Sequence, residues 1–427
     1  MKQSGVPWLK EIPVSWKVER GKNVLVLQKR PVRENDEVVT CFRDGEVILR
    51  SLRRTEGFTM SDKEIGYQGI NEGDIVIHGM DGFAGAMGVS KSTGKGSPVL
   101  IICTPKYDAI PQYIIYYLRA LAMTDVFVAL ATGIRERSCD LRWNKVSELE
   151  FIMPSSSEQQ KIVEFLDRKC AEVDEMIGLQ EQIIEELKAY KQSVITEAVT
   201  KGLNPDAPMR DSGVEWIGQI PEHWKVCRIK DVASLFGRIG FRGYTSDDLN
   251  KDGEGAITLS PSNMLPMGMD YSSVTYLSWA KYYESPEIQI QNGDILMVKT
   301  GSSYGKVSYV DNLPREATIN PQILRIISKI NSKYLGYYLQ TPLFIYQVEG
   351  GVVGGTIPTI SQEKINNFFI VAAPIQEQQA IADYLDEKCA DIDSLIQTKL
   401  SKINSLKEYK KSIIYEYVTG KREVELV

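Results

Sequence analysis

The sequence predicts a duplicated α/β (α+β) fold, two mixed strand-and-helix domains separated by two long antiparallel coiled-coil helices with pseudo-twofold symmetry. Three observations carry this expectation. First, the segment from Ser4 to Val24 returns as Ser212 to Val232 at a constant shift of 208, with 12 of 21 positions identical. Second, Glu158 to Thr200 returns as Glu377 to Thr419 at a shift of 219, with 21 identities in 43 positions. Third, both copies of that second block carry an apolar period of 3.5 residues, which is a coiled-coil seam. A period near 210 residues is too long for a solenoid repeat, so the unit that was duplicated is a domain plus a helix.

The boundaries follow from the repeats: a first domain over 1–153, a first helix over 154–203, a second domain over 204–373 and a second helix over 374–427. Between the repeated blocks the halves share little beyond Gly73-Asp74-Ile75 and Gly293-Asp294-Ile295. Matched frames around unmatched inserts point to one scaffold presenting two different readers.

Each insert reads as strand-rich. Short β-type runs are Val38 to Phe42, Asp74 to Ile77 and Pro98 to Ile102 in the first half. In the second they are Ala256 to Leu259, Asp294 to Val298, Gly305 to Val310 and Ile323 to Ile327, punctuated by Gly and Asp turns. Pro111 to Ala122 and Ser332 to Gln340 follow with apolar residues at helical spacing, and their tyrosines and leucines are what a helix packed on a sheet requires. The Trp-rich straps at 8–16 and 216–224 are expected to bury their indoles against the domains. Arg20 and Arg228, common to both straps, read as structural, since equal residues cannot distinguish unequal targets.

The two helices justify themselves by register. Leu166, Cys170, Val173, Ile177, Ile184 and Leu187 step by threes, fours and one heptad along the first. Leu385, Cys389, Ile392, Ile396, Ile403 and Leu406 repeat the pattern in the second, with Lys191 and Lys410 at matched polar slots. Pro154 and Pro374 stand just before the blocks and neither block contains an internal Pro. Because both copies lie in one chain, the economical arrangement packs them together, antiparallel. Some 40 helical residues would span roughly 60 Å.

Composition sets outer limits. The chain has 427 residues, 43% hydrophobic and 25% charged, enough for two or three domains with real cores. No apolar run reaches the ~18 residues of a membrane span and Met1-Lys2-Gln3 opens no signal pattern, so a soluble, cytoplasmic protein is expected. Six cysteines without a C-x-x-C pair, and two histidines in unrelated contexts, argue against a disulfide framework and a zinc site. Formal net charge is −6. The helical blocks hold much of the excess acid, so phosphates would have to be held by local basic patches, and weak binding by the chain alone is expected.

The Gly-Asp-Ile strands, the helix start Pro154-x-x-x-Glu158-Gln159-Gln160 through Leu166-Asp167, its counterpart from Pro374 to Asp386, and the Trp-Ile-Pro-x-x-Trp straps resemble the specificity subunit of type I restriction-modification systems. The resemblance covers essentially the whole chain in the family's order. It implies DNA recognition without catalysis: each domain reads one half of a split double-stranded target, and the paired helices act as a ruler. The same helices would dock two methyltransferase subunits, to which restriction subunits add. No cofactor is expected in this chain; S-adenosylmethionine, ATP and Mg are expected in the partner subunits. Partners with a membrane are not.

Searches of the residues for an enzyme come out negative. The Asn-Pro pairs at 204–205 and 320–321 do not continue into an Asn/Asp-Pro-Pro-aromatic tetrapeptide. Gly301-Ser302-Ser303-Tyr304-Gly305-Lys306-Val307 has three residues between its glycines where a P-loop has four, and Val where Mg²⁺ ligation needs Ser or Thr. The competing reading is a coiled-coil adaptor whose inserts bind proteins and not DNA.

Base reading needs Arg, Lys, Asn, Gln, Ser or Thr on loops. In the first domain the candidates are Arg43, Arg50, Arg53 and Arg54, the loop at His78, and Arg135 and Arg137. In the second they are Arg238 and Arg242, Ser262 and Asn263, Lys299, Thr300, Ser303 and Tyr304, and Thr356. Several follow strand ends in both halves, Ile77-His78-Gly79 aligning with Val298-Lys299-Thr300.

Overall fold

The structure is a computed structural model and describes residues 1–427 except 54–64, 125, 128–140, 239, 241–242, 251–252, 353–356 and 425–427. The chain forms two compact units, Met1–Glu181 with Leu400–Val427, and Gln182–Lys399.

In the first unit the strap strand β1 (Lys17–Arg20) leads into β2 (Leu25–Leu27). A hairpin of β3 (Val39–Cys41) and β4 (Val47–Leu49) follows, then β5 (Ile75–His78), β6 (Met87–Val89), β7 (Leu100–Pro105) and the helix α1 (Pro111–Met123). Strand β8 (Glu150–Met153) returns to pair antiparallel with β1 and hands the chain to the long helix α2 (Ser156–Lys201). The central sheet is antiparallel in the order β2-β7-β5-β6. Its side chains alternate faces. Ile75 and Ile77 pack with Tyr113, Tyr117 and Leu121 of α1, whereas Val76 packs with Val39, Cys41 and Val47 of the hairpin. Both faces are therefore buried, which is why these strands read as continuous apolar runs.

The second unit repeats the plan. Strand β9 (Lys225–Arg228) leads into β10 (Ala233–Gly237), β11 (Ala256–Leu259), β12 (Ile295–Val298), β13 (Val307–Tyr309), β14 (Ala317–Ile319) and β15 (Ile323–Ser328). Helices α3 (Ser332–Tyr338) and α4 (Pro342–Gly351) precede β16 (Phe369–Ala372), which pairs with β9, and the long helix α5 (Ile375–Val418). The sheet order β10-β15-β12-β13 matches that of the first unit. Ile295 and Met297 face the helices; Leu296 and Val298 face a five-stranded sheet in which β11 runs parallel to β14. That second sheet is where the inserts part company, because among the described residues the first unit offers the β3–β4 hairpin and a two-stranded ribbon there.

The shared Gly-Asp-Ile motif has a local cause. Gly73 and Gly293 take positive φ of 86° and 93°, the left-handed conformation that glycine adopts without a Cβ penalty. Asp74 and Asp294 then accept the amides of Asn71 and Gln291, each at 2.7 Å, closing the turn into the strand. Each buried carboxylate is matched by an arginine from a different strand: Arg30 just past β2 in the first unit, Arg325 within β15 at 2.7 Å in the second.

The helices are held by an aromatic contact in the first unit and by an ion pair that recurs in both. In the first unit Phe165 of α2 packs on Tyr417 of α5, ring centroids 4.3 Å apart, and Asp174 pairs with Lys410 at 2.6 Å. These two contacts set the segments antiparallel. In the second unit Lys191 pairs with Asp393 at 2.6 Å, the same acid and base with the helices exchanged. Leu166, Cys170, Val173, Ile184, Leu385, Cys389, Ile392, Ile396, Ile403 and Leu406 are buried; Ile177 and Leu187 are half-buried. Tyr113 donates to the carbonyls of Ile152 (2.8 Å) and Val418 (3.2 Å), and Tyr334 donates to those of Val371 (2.9 Å) and Val199 (3.0 Å). The last carbonyls of a helix lack intrahelical donors, so each tyrosine ties a helix end to its domain.

Two expectations need correction. Trp16 and Trp224 are buried and donate to Glu158 and Glu377, but Trp216 is 37% exposed beside Tyr346. Trp8, at the matching position of the first strap, packs against the core, so the rim position of Trp216 belongs to the second unit. The alignment of strand ends also shifts by one residue. Ile75 sits opposite Cys103 and Ile295 opposite Ile326, so His78 corresponds to Val298 and Gly79 to Lys299. A one-residue shift puts the side chains on opposite faces of a sheet, so His78 and Lys299 are not counterparts.

Candidate nucleic-acid interface

The first-unit candidates cluster where β3, β4 and β5 end. His78 closes β5, and its Nδ1 accepts the Asp81 amide at 3.0 Å, which fixes the ring. Burial pushes its pKa down. Asp81 in turn pairs with Arg43 at 2.9 Å, so Arg43 and His78 are brought together through one carboxylate. Arg53 follows the hairpin, binds both Asp44 and Glu46, and lies over the Phe42 ring at 4.2 Å. The hydrogen bond to Asp44 raises the Arg53 pKa and lowers that of Asp44. Arg50 donates to Thr40 Oγ1 at 3.1 Å. The result is an alternating-charge surface in which Arg43, 69% exposed, carries the most accessible guanidinium of the described candidates. Arg54, Arg135 and Arg137 lie outside the described residues.

In the second unit the candidates divide. Lys299 and Thr300 extend β12, their backbone fixed by Lys299 N–H to Gln322 O (2.8 Å), Ile360 N–H to Lys299 O (2.9 Å) and a bridge from Thr300 to Thr359. Gly301 and Gly305 take positive φ and fold the following loop back; Ser303 O accepts the Lys306 amide, Tyr304 packs on the core, and Lys306 Nζ reaches Pro261 O at 3.1 Å. Ser262 is exposed and shares a hydrogen bond with Ser260. Two other candidates point inward. Arg238 is 6% exposed and donates to Thr318 and Ile319. Asn263 is 5% exposed and spends both ends of its amide on Ser260, Asp270 and Ser273. Arg242 and Thr356 lie outside the described residues.

A groove of about 840 Å³ opens beside the first sheet, lined among others by Lys29, Tyr67, Gln68, Gly79, Arg142 and Trp143. Lys29, Tyr67 and Trp143 were missed from the sequence, although Lys29 stands in the basic stretch Lys29-Arg30-Pro31-Val32-Arg33; that stretch and the one-residue register between the halves are the signals that point to Lys29. Arg20 and Arg228 bind Glu148 and Asn367, as structural residues of the frame should. Among the described residues no group of three or more metal-ligating side chains occurs, and no helix is long and apolar enough to cross a membrane.

Comparison with known proteins meets the same frame. A family model described as type I restriction modification DNA specificity domain matches residues 221–405. The putative type I restriction enzyme MjaX specificity subunit of Methanocaldococcus jannaschii is 24% identical over 433 residues, covering 97% of this chain and 95% of that one. The type I restriction enzyme EcoKI specificity subunit of Escherichia coli (strain K12) is 22% identical over 440 residues, covering 93% and 87%. A solved chain from work on complex assembly and conformational transition of the type I R-M system superposes with a TM-score of 0.73 at 16% identity, covering 96% of this chain and all of that one. The HsdS subunit from Thermoanaerobacter tengcongensis superposes at 0.53, again at 16% identity, covering 99% and 100%. The structural likenesses carry the fold.

Proposed function

The chain belongs to the family of type I restriction-modification specificity subunits, and from that premise we propose that it is the sequence-specific DNA-binding subunit of such a complex. Each domain reads one half of a split double-stranded target. The helices set the distance between the halves and dock two methyltransferase subunits, to which restriction subunits add. The chain is non-catalytic, and S-adenosylmethionine, ATP and Mg act in the partners.

One observation supports this reading above the others. The frame repeats its tyrosine ties, Tyr113 with Tyr334, and its helix ion pairs, Asp174–Lys410 with Lys191–Asp393, while the strand ends present Arg43 and His78 on one side and Thr300 and Ser262 on the other. Equal frames place two partners alike; unequal mouths read unequal sequences.

A gel-shift with a random duplex pool, by the chain alone and with candidate methyltransferase subunits, tests it. Selection of one split sequence by the assembled complex is expected, with weak binding by the chain alone. Absence of selection by an assembled complex would leave the adaptor reading in its place.

A further inference from the structure

Superposing the two central sheets by their ladders exposes an exchange of lysine for glycine. Leu27 pairs with Cys103 and Leu235 with Ile326, so residue 29 of the first unit corresponds to residue 237 of the second. Residue 79 corresponds to residue 299 by the register above. The first unit thus has Lys29 and Gly79, and the second has Gly237 and Lys299. The lysine has changed strands, and a glycine stands at the position it left.

The packing explains why one lysine excludes the other. A Cβ on Gly79 would lie 2.8 Å from Leu141 O and 2.9 Å from Val99 O, both backbone atoms, so in the first unit no side chain can start from the central strand. The lysine comes from the edge instead, and Lys29 lines the same groove as Gly79. In the second unit a Cβ on Gly237 would lie 3.3 Å from Lys299 Nζ and 2.8 Å from Leu324 Cδ2. There the lysine of the central strand lies across the place where an edge side chain would begin. Neither ammonium has an ion-pair or hydrogen-bond partner among the described residues. Burial pushes the Lys299 pKa down with no carboxylate acting to raise it.

We propose that Lys29 and Lys299 are equivalent anchors for a DNA backbone phosphate, one in each domain, and that they do not read bases. The proposal rests on the DNA-recognition reading above and assigns these two residues within it. The argument is one of symmetry. Domains that read different half-sites need different base-contacting residues, yet here different substitutions restore the same group to the same mouth. What the two half-sites share is the sugar-phosphate backbone. A lone ammonium, a compact point charge with no planar fork, suits a phosphate.

The test uses the complex assembled with its methyltransferase subunits and a cognate and a scrambled duplex, with affinity measured against salt concentration. For Lys29→Gln and for Lys299→Gln the slope of log affinity against log salt should shrink by about 1, and by about 2 for the double variant. Both duplexes should weaken alike, so that their affinity ratio holds, and K29R and K299R should keep the native slope. Unchanged slopes in the Gln variants, or loss of preference at one half-site, would overturn the assignment while leaving DNA recognition intact. A native complex with no preference for any duplex would instead overturn the reading beneath it. Lys29 is exposed, so K29Q alone carries the test should K299Q fail to assemble.

Discussion

Lys410 of the second long helix pairs with Asp174 of the first at 2.6 Å, and the duplicated counterparts, Lys191 and Asp393, make the same pair. Both lysines stand where the apolar register of the helices is interrupted. Their side chains are mostly covered while the carboxylates are more than half exposed, so each pair sets register more than it adds stability; exposed pairs contribute about 0–1 kcal/mol. Lys410→Glu should lower the melting temperature by placing two carboxylates together. The swap Asp174→Lys with Lys410→Glu should recover most of the loss, and a swap that recovers nothing would remove the pair from the account.

The tyrosine ties are expected to matter more. Tyr113→Phe or Tyr334→Phe removes a buried donor shared by two carbonyls, at a cost of about 1–3 kcal/mol. The two variants should lose similar stability in denaturant unfolding, since their geometry is the same in both units. A loss confined to one of them would show that the frames are not energetically matched.

His78 gives the fold an acid-sensitive point. Burial lowers its folded pKa below the ordinary 6.5, so the unfolded chain binds more protons once the pH falls below about that value. Stability from this group is therefore intact above pH ~6.5 and declines as the pH drops through it. Comparing unfolding at pH 7.5 and 5.5, His78→Gln should lose less stability than the native chain. An equal or greater loss would contradict the burial argument.

If the helices set the spacing of the half-sites, lengthening both should lengthen the preferred spacer. Seven residues inserted after Gln180 and seven after Lys399 keep the apolar seam in phase and add roughly 10 Å, about three base pairs of rise. An active complex should then select a longer spacer with unchanged half-sites. An unaltered spacer would mean that the spacing is fixed by how the domains dock on the methyltransferase subunits.

The frame was legible because duplication printed it twice: the helices, their seam and lysines, and the strap tryptophans that bind Glu158 and Glu377 all follow from aligned blocks. The strands were legible because both faces of each sheet are buried, which leaves apolar runs such as Ile295 to Val298. What resisted reading was the side-chain environment of the inserts. Arg238 and Asn263 look like loop readers in sequence and are buried in structure, because nothing local reveals that Thr318 or Asp270 lies beside them. Lys29 was invisible for the opposite reason: its significance lies in the strand registers that match it with Gly237 and match Gly79 with Lys299, and an alignment of residue 79 one position out conceals it.

The measurement that tests the central claim most directly is methylome mapping of cells carrying the complete system with the first insert exchanged. The insert is closed by the Gly21 amide bonded to Leu149 O at 2.8 Å, so residues 25 to 149 can be replaced by those of another specificity subunit, with Tyr113 kept at its tie to the frame. One half of the methylated site should change to that of the donor while the other half and the spacer stay as they were. A site changed in both halves, or in neither, would contradict the account of two independent readers on one frame.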